Sequence, residues 1–206
     1  MAERYFPYGD EEVAYLKARD KKLAPVIDQI GHVYRAMDGD LFGSVMHHII
    51  GQQVSTAAQQ TVWKRMREGL GEVSAVAVAA SNADELQAFG TTFRKADYML
   101  DFARKVDSGE FDLDAVRSMP DEDAIAALSS LRGVGEWTAE MILLFCLGRP
   151  DILSFKDLAI QRGMRAVYHH REITREQFER YRRRYSPYGS VASLYLWEVS
   201  RGVISG

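Results

Sequence analysis

Apolar residues recur at three- and four-residue spacing along most of the chain, the period at which side chains share one face of a helix. Residues 10–19, 43–51 and 55–68 carry the pattern most plainly, and short polar or glycine-containing breaks separate them. Asn82 is placed to cap a short helix that ends at Gly90. Pro120 followed by Asp121, Glu122 and Asp123 reads as the acidic first turn of another, ending near Ser130. Only residues 73–78 hint at two-residue alternation, and their alanines favour helix over strand. The pattern predicts an all-α protein. Without an internal repeat, a low-complexity tract or a linker-like stretch, any two lobes should share one compact body.

The regular pattern breaks at LRGVGEWTAE, residues 131–140, where two glycines sit two positions apart. A helix ending near Ser130, a tight turn through Arg132 to Gly135 and a nearly all-apolar helix over 136–147 together make a helix-hairpin-helix. Met141 to Leu147 runs with hardly a polar break, as a helix buried on all sides requires. Its N-terminus must nevertheless reach a surface. There the first-turn amides, with those of Gly133 and Gly135, form a ready anion site that a phosphate can approach without steric obstruction. A bare G-x-G is more often a plain turn between helices, so the hairpin alone is weak evidence of a ligand site.

Composition narrows the classes. A chain of 206 residues with 47% hydrophobic content can bury a substantial core. Cys146 is the only cysteine, which excludes an internal disulfide, a four-cysteine zinc site and a cysteine-ligated iron-sulfur cluster. The first twenty residues carry charges throughout, and no run approaches the roughly 18 apolar residues of a membrane span, so a soluble, cytoplasmic protein is expected. Net charge is −3, so any polyanion must be held by local patches or by backbone groups.

The hairpin has company. IIGQQVS (49–55), GTTFRKA (90–96), LRGVGEWTAE (131–140), DILSFKDLAIQRG (151–163) and SPYGSVA (186–192) follow one another in the order of the motifs of the helix-hairpin-helix DNA glycosylase superfamily. The chain resembles the alkylpurine branch of that superfamily, the DNA-3-methyladenine glycosylase II group, in a short form without the N-terminal β-domain of some relatives. The resemblance implies an all-α fold of two helical lobes around a DNA-binding cleft: one over 41–147, the other combining 1–40 with 148–206. It further implies a monomer acting on double-stranded DNA with damaged bases, no required cofactor and no membrane.

The chemistry so implied is hydrolysis of a purine's N-glycosidic bond, which builds positive charge on the deoxyribose and is favoured by a fixed carboxylate beside the sugar. The motif places that carboxylate at Asp157. The same residue reads as the N-cap of a helix over Leu158–Tyr168, and the two roles are compatible because a helix N-terminus favours negative charge. Trp137 stands where strand-cutting relatives carry a nucleophilic lysine, which implies a monofunctional enzyme; Lys156 is the only nearby amine.

Trp137, Tyr188 and Met141 match positions that line the base pocket, where aromatic faces attract cationic alkylated purines such as 3-methyladenine and 7-methylguanine. Gln53 matches the wedge that fills the gap left by an extruded nucleotide, with Gln52 beside it. Gly133, Val134, Gly135 and Thr138 match the phosphate grip, and the carbonyls of Ser129, Leu131 and Val134 match ligands of a structural Na+ or K+. Phosphate contacts are also considered for Lys95 and for the basic run from Arg180 to Arg184.

Departures from the family pattern lie at Gly189, Glu136, Lys156 and Met141, where arginine, a basic or neutral residue, aspartate and an aromatic are common. Two other readings stay open: a glycosylase for other damaged or mismatched bases, and a catalytically inactive DNA-damage-binding module. Adjacent histidines point about 100° apart on a helix, so the pairs His47–His48 and His169–His170 do not suggest a metal cluster.

Overall fold

Short polar side chains open most of the helices. In a computed structural model describing residues 4–202, thirteen helices follow in order: α1 Asp10–Arg19, α2 Leu23–Ile30, α3 Leu41–Gly51, α4 Thr56–Leu70, α5 Ala75–Ala79, α6 Ala83–Ala88, α7 Phe93–Asp107, α8 Leu113–Ser118, α9 Asp121–Ser129, α10 Glu136–Phe145, α11 Leu158–Tyr168, α12 Arg175–Tyr185 and α13 Gly189–Ser200. Asp40, Ser55, Ser74, Asn82, Thr92, Asp112, Asp157 and Thr174 each accept a hydrogen bond from a first-turn amide of the helix that follows. Such caps satisfy donors that the helix itself cannot. The helical expectation holds: among the described residues the only β-type pairing is an isolated bridge between Tyr5 and Ala36. No helix there is long and apolar enough to cross a membrane.

The described residues divide into two compact units, 38–147 and 4–37 with 148–202. In the first, α10 is buried from Thr138 to Phe145 apart from Glu140, and it packs on α9 and α3. Eight of the eleven residues of α3 are buried as well, so both helices are apolar nearly all round. Stacked rings of Phe42 and Phe102 join α3 to α7 in this core.

In the second unit α11 lies against α13. They approach closely because Gly163 has no side chain; a Cβ there would run into the carbonyl of Leu196. Small residues at the start of α13 then act as anchors for the segment leading to α11. Ser190 Oγ accepts from the amide of Ile152 at 2.9 Å and donates to the carbonyl of Arg149 at 2.5 Å, and Ser193 Oγ donates to the Ile152 carbonyl at 2.9 Å.

Candidate functional site

In the unit containing α11, the loop ahead of that helix is held at both ends. Asp151 Oδ1 accepts from the amide of Gly189 at 2.9 Å and Oδ2 accepts from Ser186 Oγ at 2.5 Å, which ties the start of the loop to the turn that carries Tyr188. A Cβ at Gly189 would come within 2.7 Å of Asp151 Oδ1, so the hydrogen bond to its amide is made with glycine's close approach. At the far end, Gln161 Nε2 donates to the carbonyl of Phe155 at 2.6 Å.

Between these anchors Asp157 caps α11. Its Oδ1 accepts from the amides of Ala159 and Ile160 at 2.8 and 2.9 Å, and the residue is 7% exposed. A carboxylate fixed by two amides at a helix start is a preorganised negative charge. The next residue, Leu158, is 69% exposed, an apolar side chain left in the open directly beside it. Tyr188 is half-buried, meets Tyr15 edge-on at 5.1 Å between ring centroids and donates to Glu11 Oε1 at 3.1 Å.

In the other unit the hairpin turn runs as the glycine spacing predicts. Gly133 adopts φ +82°, a left-handed conformation that disfavours side chains, and a Cβ there would collide with the Tyr98 ring. Gly135 precedes α10 as its N-cap residue, and a Cβ there would meet nothing within 4 Å. Packing therefore demands glycine at 133 but not at 135, where the space beside the start of α10 is open. The side chains of Val134 and Thr138 are buried, so these two can offer only backbone groups to a ligand. Trp137 is 41% exposed on the first turn of α10, whereas Met141, one turn further on, is 3% exposed.

The glutamine pair separates into two roles. Gln52 turns inward, its Nε2 donating to the carbonyl of Gly133 at 2.5 Å, while Gln53 is exposed with φ +56°. Lys95 is 6% exposed, and its Nζ donates to the carbonyls of Ile50 at 2.8 Å and Gln52 at 2.6 Å. The phosphate contact considered for Lys95 is thus corrected: its ammonium serves the C-terminal end of α3. Burial, assisted by the charge of Arg94, pulls its pKa below the usual lysine value. Arg184 is corrected likewise, because it donates to Asp20 at 2.7 Å, leaving Arg180, Arg182 and Arg183 as the exposed arginines of that run.

The carbonyls of Ser129, Leu131 and Val134, considered for a monovalent cation, are hard oxygen donors. All three donors are oxygens at the end of α9 and in the bend, where helix carbonyls run out of intrahelical partners. The Leu131 carbonyl accepts one bond, from the Val134 amide at 3.1 Å, and retains a second lone pair. Ser129 Oγ is buried with no hydrogen-bond partner, an unmet polar atom on the same stretch.

Sequence reasoning missed Tyr98, which fills the space under Gly133 and lies beneath the Arg132 guanidinium at 5.4 Å. It also missed the anchoring by Asp151, although that residue opens the motif ending in Asp157.

Comparison with known proteins places these features in context. Residues 46–187 match the family described as HhH-GPD superfamily base excision DNA repair protein. A DNA-3-methyladenine glycosylase of Bacillus subtilis is 25% identical over 173 residues, 78% of this chain and 57% of the relative. The chain spans 64% and 57% of the length of two Bacillus subtilis relatives that it matches. Among solved structures, a DNA-3-methyladenine glycosidase of Bacillus halodurans aligns with a TM-score of 0.86 and 30% identity, covering 97% of this chain and 93% of that one. A Schizosaccharomyces pombe 3-methyladenine DNA glycosylase in complex with abasic DNA shares the fold, with a TM-score of 0.81 at 20% identity over 96% of this chain and all of that one.

Proposed function

The chain belongs to the HhH-GPD superfamily of base excision DNA repair proteins, and from that premise we propose that it is a monofunctional DNA glycosylase that excises alkylated purines, 3-methyladenine and 7-methylguanine among them. The observation that carries the reading is Asp157: a buried carboxylate oriented by two amides at the position of the family's catalytic acid.

In the proposed reaction the bond between C1′ and the purine nitrogen lengthens, and positive charge develops on the sugar. An alkylated base carries positive charge at the outset, and as that charge passes to the sugar Asp157 stabilises it more than in the ground state, which lowers the barrier. Water adds to C1′, its proton passing to the carboxylate or to solvent, and the base leaves on the former bonding pair. Trp137 offers an indole in place of an amine, so no Schiff base forms there and the product is an intact abasic site. A cationic base would gain from the Trp137 indole, which is 41% exposed, and an alkylated base is already a better leaving group. Phosphate would rest on the amides of Gly133 and Gly135, and Gln53 would occupy the gap left by the extruded nucleotide. The carbonyls of Ser129, Leu131 and Val134 would hold a monovalent cation, whose charge when bound adds to the local attraction for phosphate.

Single-turnover release of 3-methyladenine, 7-methylguanine and hypoxanthine, with borohydride added to trap any Schiff base, tests the proposal. Release of the alkylated bases without a trapped adduct is expected. A trapped adduct would remove the monofunctional assignment, and tight binding without release would make the protein a damage-binding module.

The two hairpin glycines should separate stability from binding. Gly133→Ala is expected to destabilise the fold by about 2 kcal/mol, from the left-handed backbone and the collision with Tyr98. Gly135→Ala should cost less than about 1 kcal/mol, the usual range for an N-cap change, yet weaken duplex binding because it puts a methyl into the open space at the start of α10 where the phosphate is proposed to rest. Urea denaturation and fluorescence anisotropy measure the two effects. Equal binding by wild type and Gly135→Ala would rule out the phosphate grip.

A further inference from the structure

Two unfavourable features meet at the end of α3. A lysine ammonium is buried there, and the adjoining turn holds a non-glycine residue, Gln53, at φ +56°. Each carries a cost: a buried charge must be hydrogen-bonded to be tolerated, and a left-handed side-chain-bearing residue persists only where its surroundings over-determine it. The surroundings here do so. The Lys95 ammonium binds the Ile50 and Gln52 carbonyls, α3's otherwise unpaired C-terminal acceptors, and a cation is favoured at that end of a helix. With its carbonyl held, Gln52 extends its amide to the Gly133 carbonyl in the hairpin. Three residues after Lys95, and so on the same side of α7, Tyr98 fills the space beneath Gly133. One face of α7 thus carries two struts, one under the glutamine turn and one under the glycine turn.

We propose that Lys95 is a positioning residue for nucleotide extrusion: through the carbonyls of Ile50 and Gln52 it fixes the turn that presents Gln53 and locks that turn to the hairpin at Gly133. Lys95 touches neither base nor phosphate. It makes the wedge and the phosphate grip one rigid element, so that a strand held at the glycines meets Gln53 in a set register. This inference rests on the glycosylase reading given above.

The test uses a duplex with 2-aminopurine beside a tetrahydrofuran abasic analogue, in which fluorescence rises when the neighbouring base is unstacked. Lys95→Met is expected to bind undamaged duplex as wild type does and to lose most of the fluorescence rise. Its single-turnover release of 3-methyladenine should slow by about 10- to 100-fold, the scale of an ångström-sized misplacement. The salt dependence of binding should keep its slope, whereas loss of a direct phosphate contact would lower it by about 0.9. A full fluorescence rise in Lys95→Met, or a slope reduced by about that amount, overturns the proposal.

Should Lys95→Met fail to fold, Gln52→Leu removes only the link to Gly133, and a weakened fluorescence rise with an unchanged melting temperature is then expected. An unaltered rise in that variant overturns the proposal too. If wild type releases no base and gives no rise, the glycosylase reading itself has failed, a result distinguishable from any effect at Lys95.

Discussion

Asp157→Asn is expected to retain the fold and lose at least 10²- to 10³-fold in single-turnover base release, about 2.7 to 4 kcal/mol of barrier, the usual effect of removing one preorganised electrostatic contact. Asparagine separates the two jobs of this residue. Its side-chain oxygen can still accept from the amides of Ala159 and Ile160, and as an N-cap it is about as good as aspartate, so the melting temperature should barely move. What is lost is the negative charge that would face the sugar. Asp157→Ala should lose the same activity and about 1 kcal/mol of stability besides, because the cap goes as well. Base release measured alongside thermal unfolding for both variants checks this. If Asp157→Asn released 3-methyladenine within about tenfold of wild type, the residue would be a cap alone.

The second large effect concerns stability, at a residue remote in sequence from every motif. Asp20 is buried where α1 ends, and its carboxylate gathers four donors. Oδ1 accepts from the amides of Lys22 and Leu23, each at 3.0 Å, and Oδ2 from Tyr168 Oη and Arg184 Nη1, each at 2.7 Å. Tyr168 is in turn hydrogen-bonded to Tyr185, so the last turns of α11 and α12 are fastened to the α1–α2 junction. Burial pushes the pKa values of both tyrosines far up, which keeps them as neutral donors.

Asp20→Asn turns an acceptor into a donor facing Tyr168 and Arg184 and should destabilise the protein by about 3 kcal/mol. That is the low end of the range for breaking a buried ion pair, because the Arg184 side chain is about a third exposed. Burial alone would raise the pKa of Asp20, but the hydrogen bonds from Tyr168, Arg184 and the two amides outweigh it and leave the carboxyl below its ordinary value. A depressed carboxylate contributes stability that is complete above the unfolded pKa, about 3.9, and is lost as pH falls through the folded one. The gap between wild type and Asp20→Asn in urea denaturation should therefore be constant from neutrality down to about pH 5 and close below pH 4. A gap under about 1 kcal/mol at pH 7, or one that widened in acid, would contradict this account.

Much of the fold is legible without coordinates because it depends on local chemistry. The caps at Asn82 and Asp157, the three acids after Pro120 and the glycine spacing at 133 and 135 each act within one turn of their own position, so their consequences can be read residue by residue. The motif segments were equally visible, and with them Asp157, Trp137 and the glutamine pair. Other residues conceal their roles because the partner lies far along the chain. The motif puts Gln52 only beside the wedge, yet its amide belongs to a carbonyl 81 positions away.

Lys95 left a faint trace. It falls on the stripe of α7 shared with Met99 and Phe102, so a charged residue sits in core register, but nothing local reveals which carbonyls receive it. Asp20 left none at all; its partners Tyr168 and Arg184 lie 148 and 164 residues away.

The sequence by itself determined that the chain is helical, where several helices begin and where an acid and a glycine bend stand in family order, since each is a matter of short-range sterics, hydrogen bonding and period. Only the tertiary structure decided which polar side chains are struts and which are left open to a ligand. A lysine, an aspartate or a glutamine can serve either purpose, and the choice falls to whatever donor or acceptor the folded chain brings opposite it.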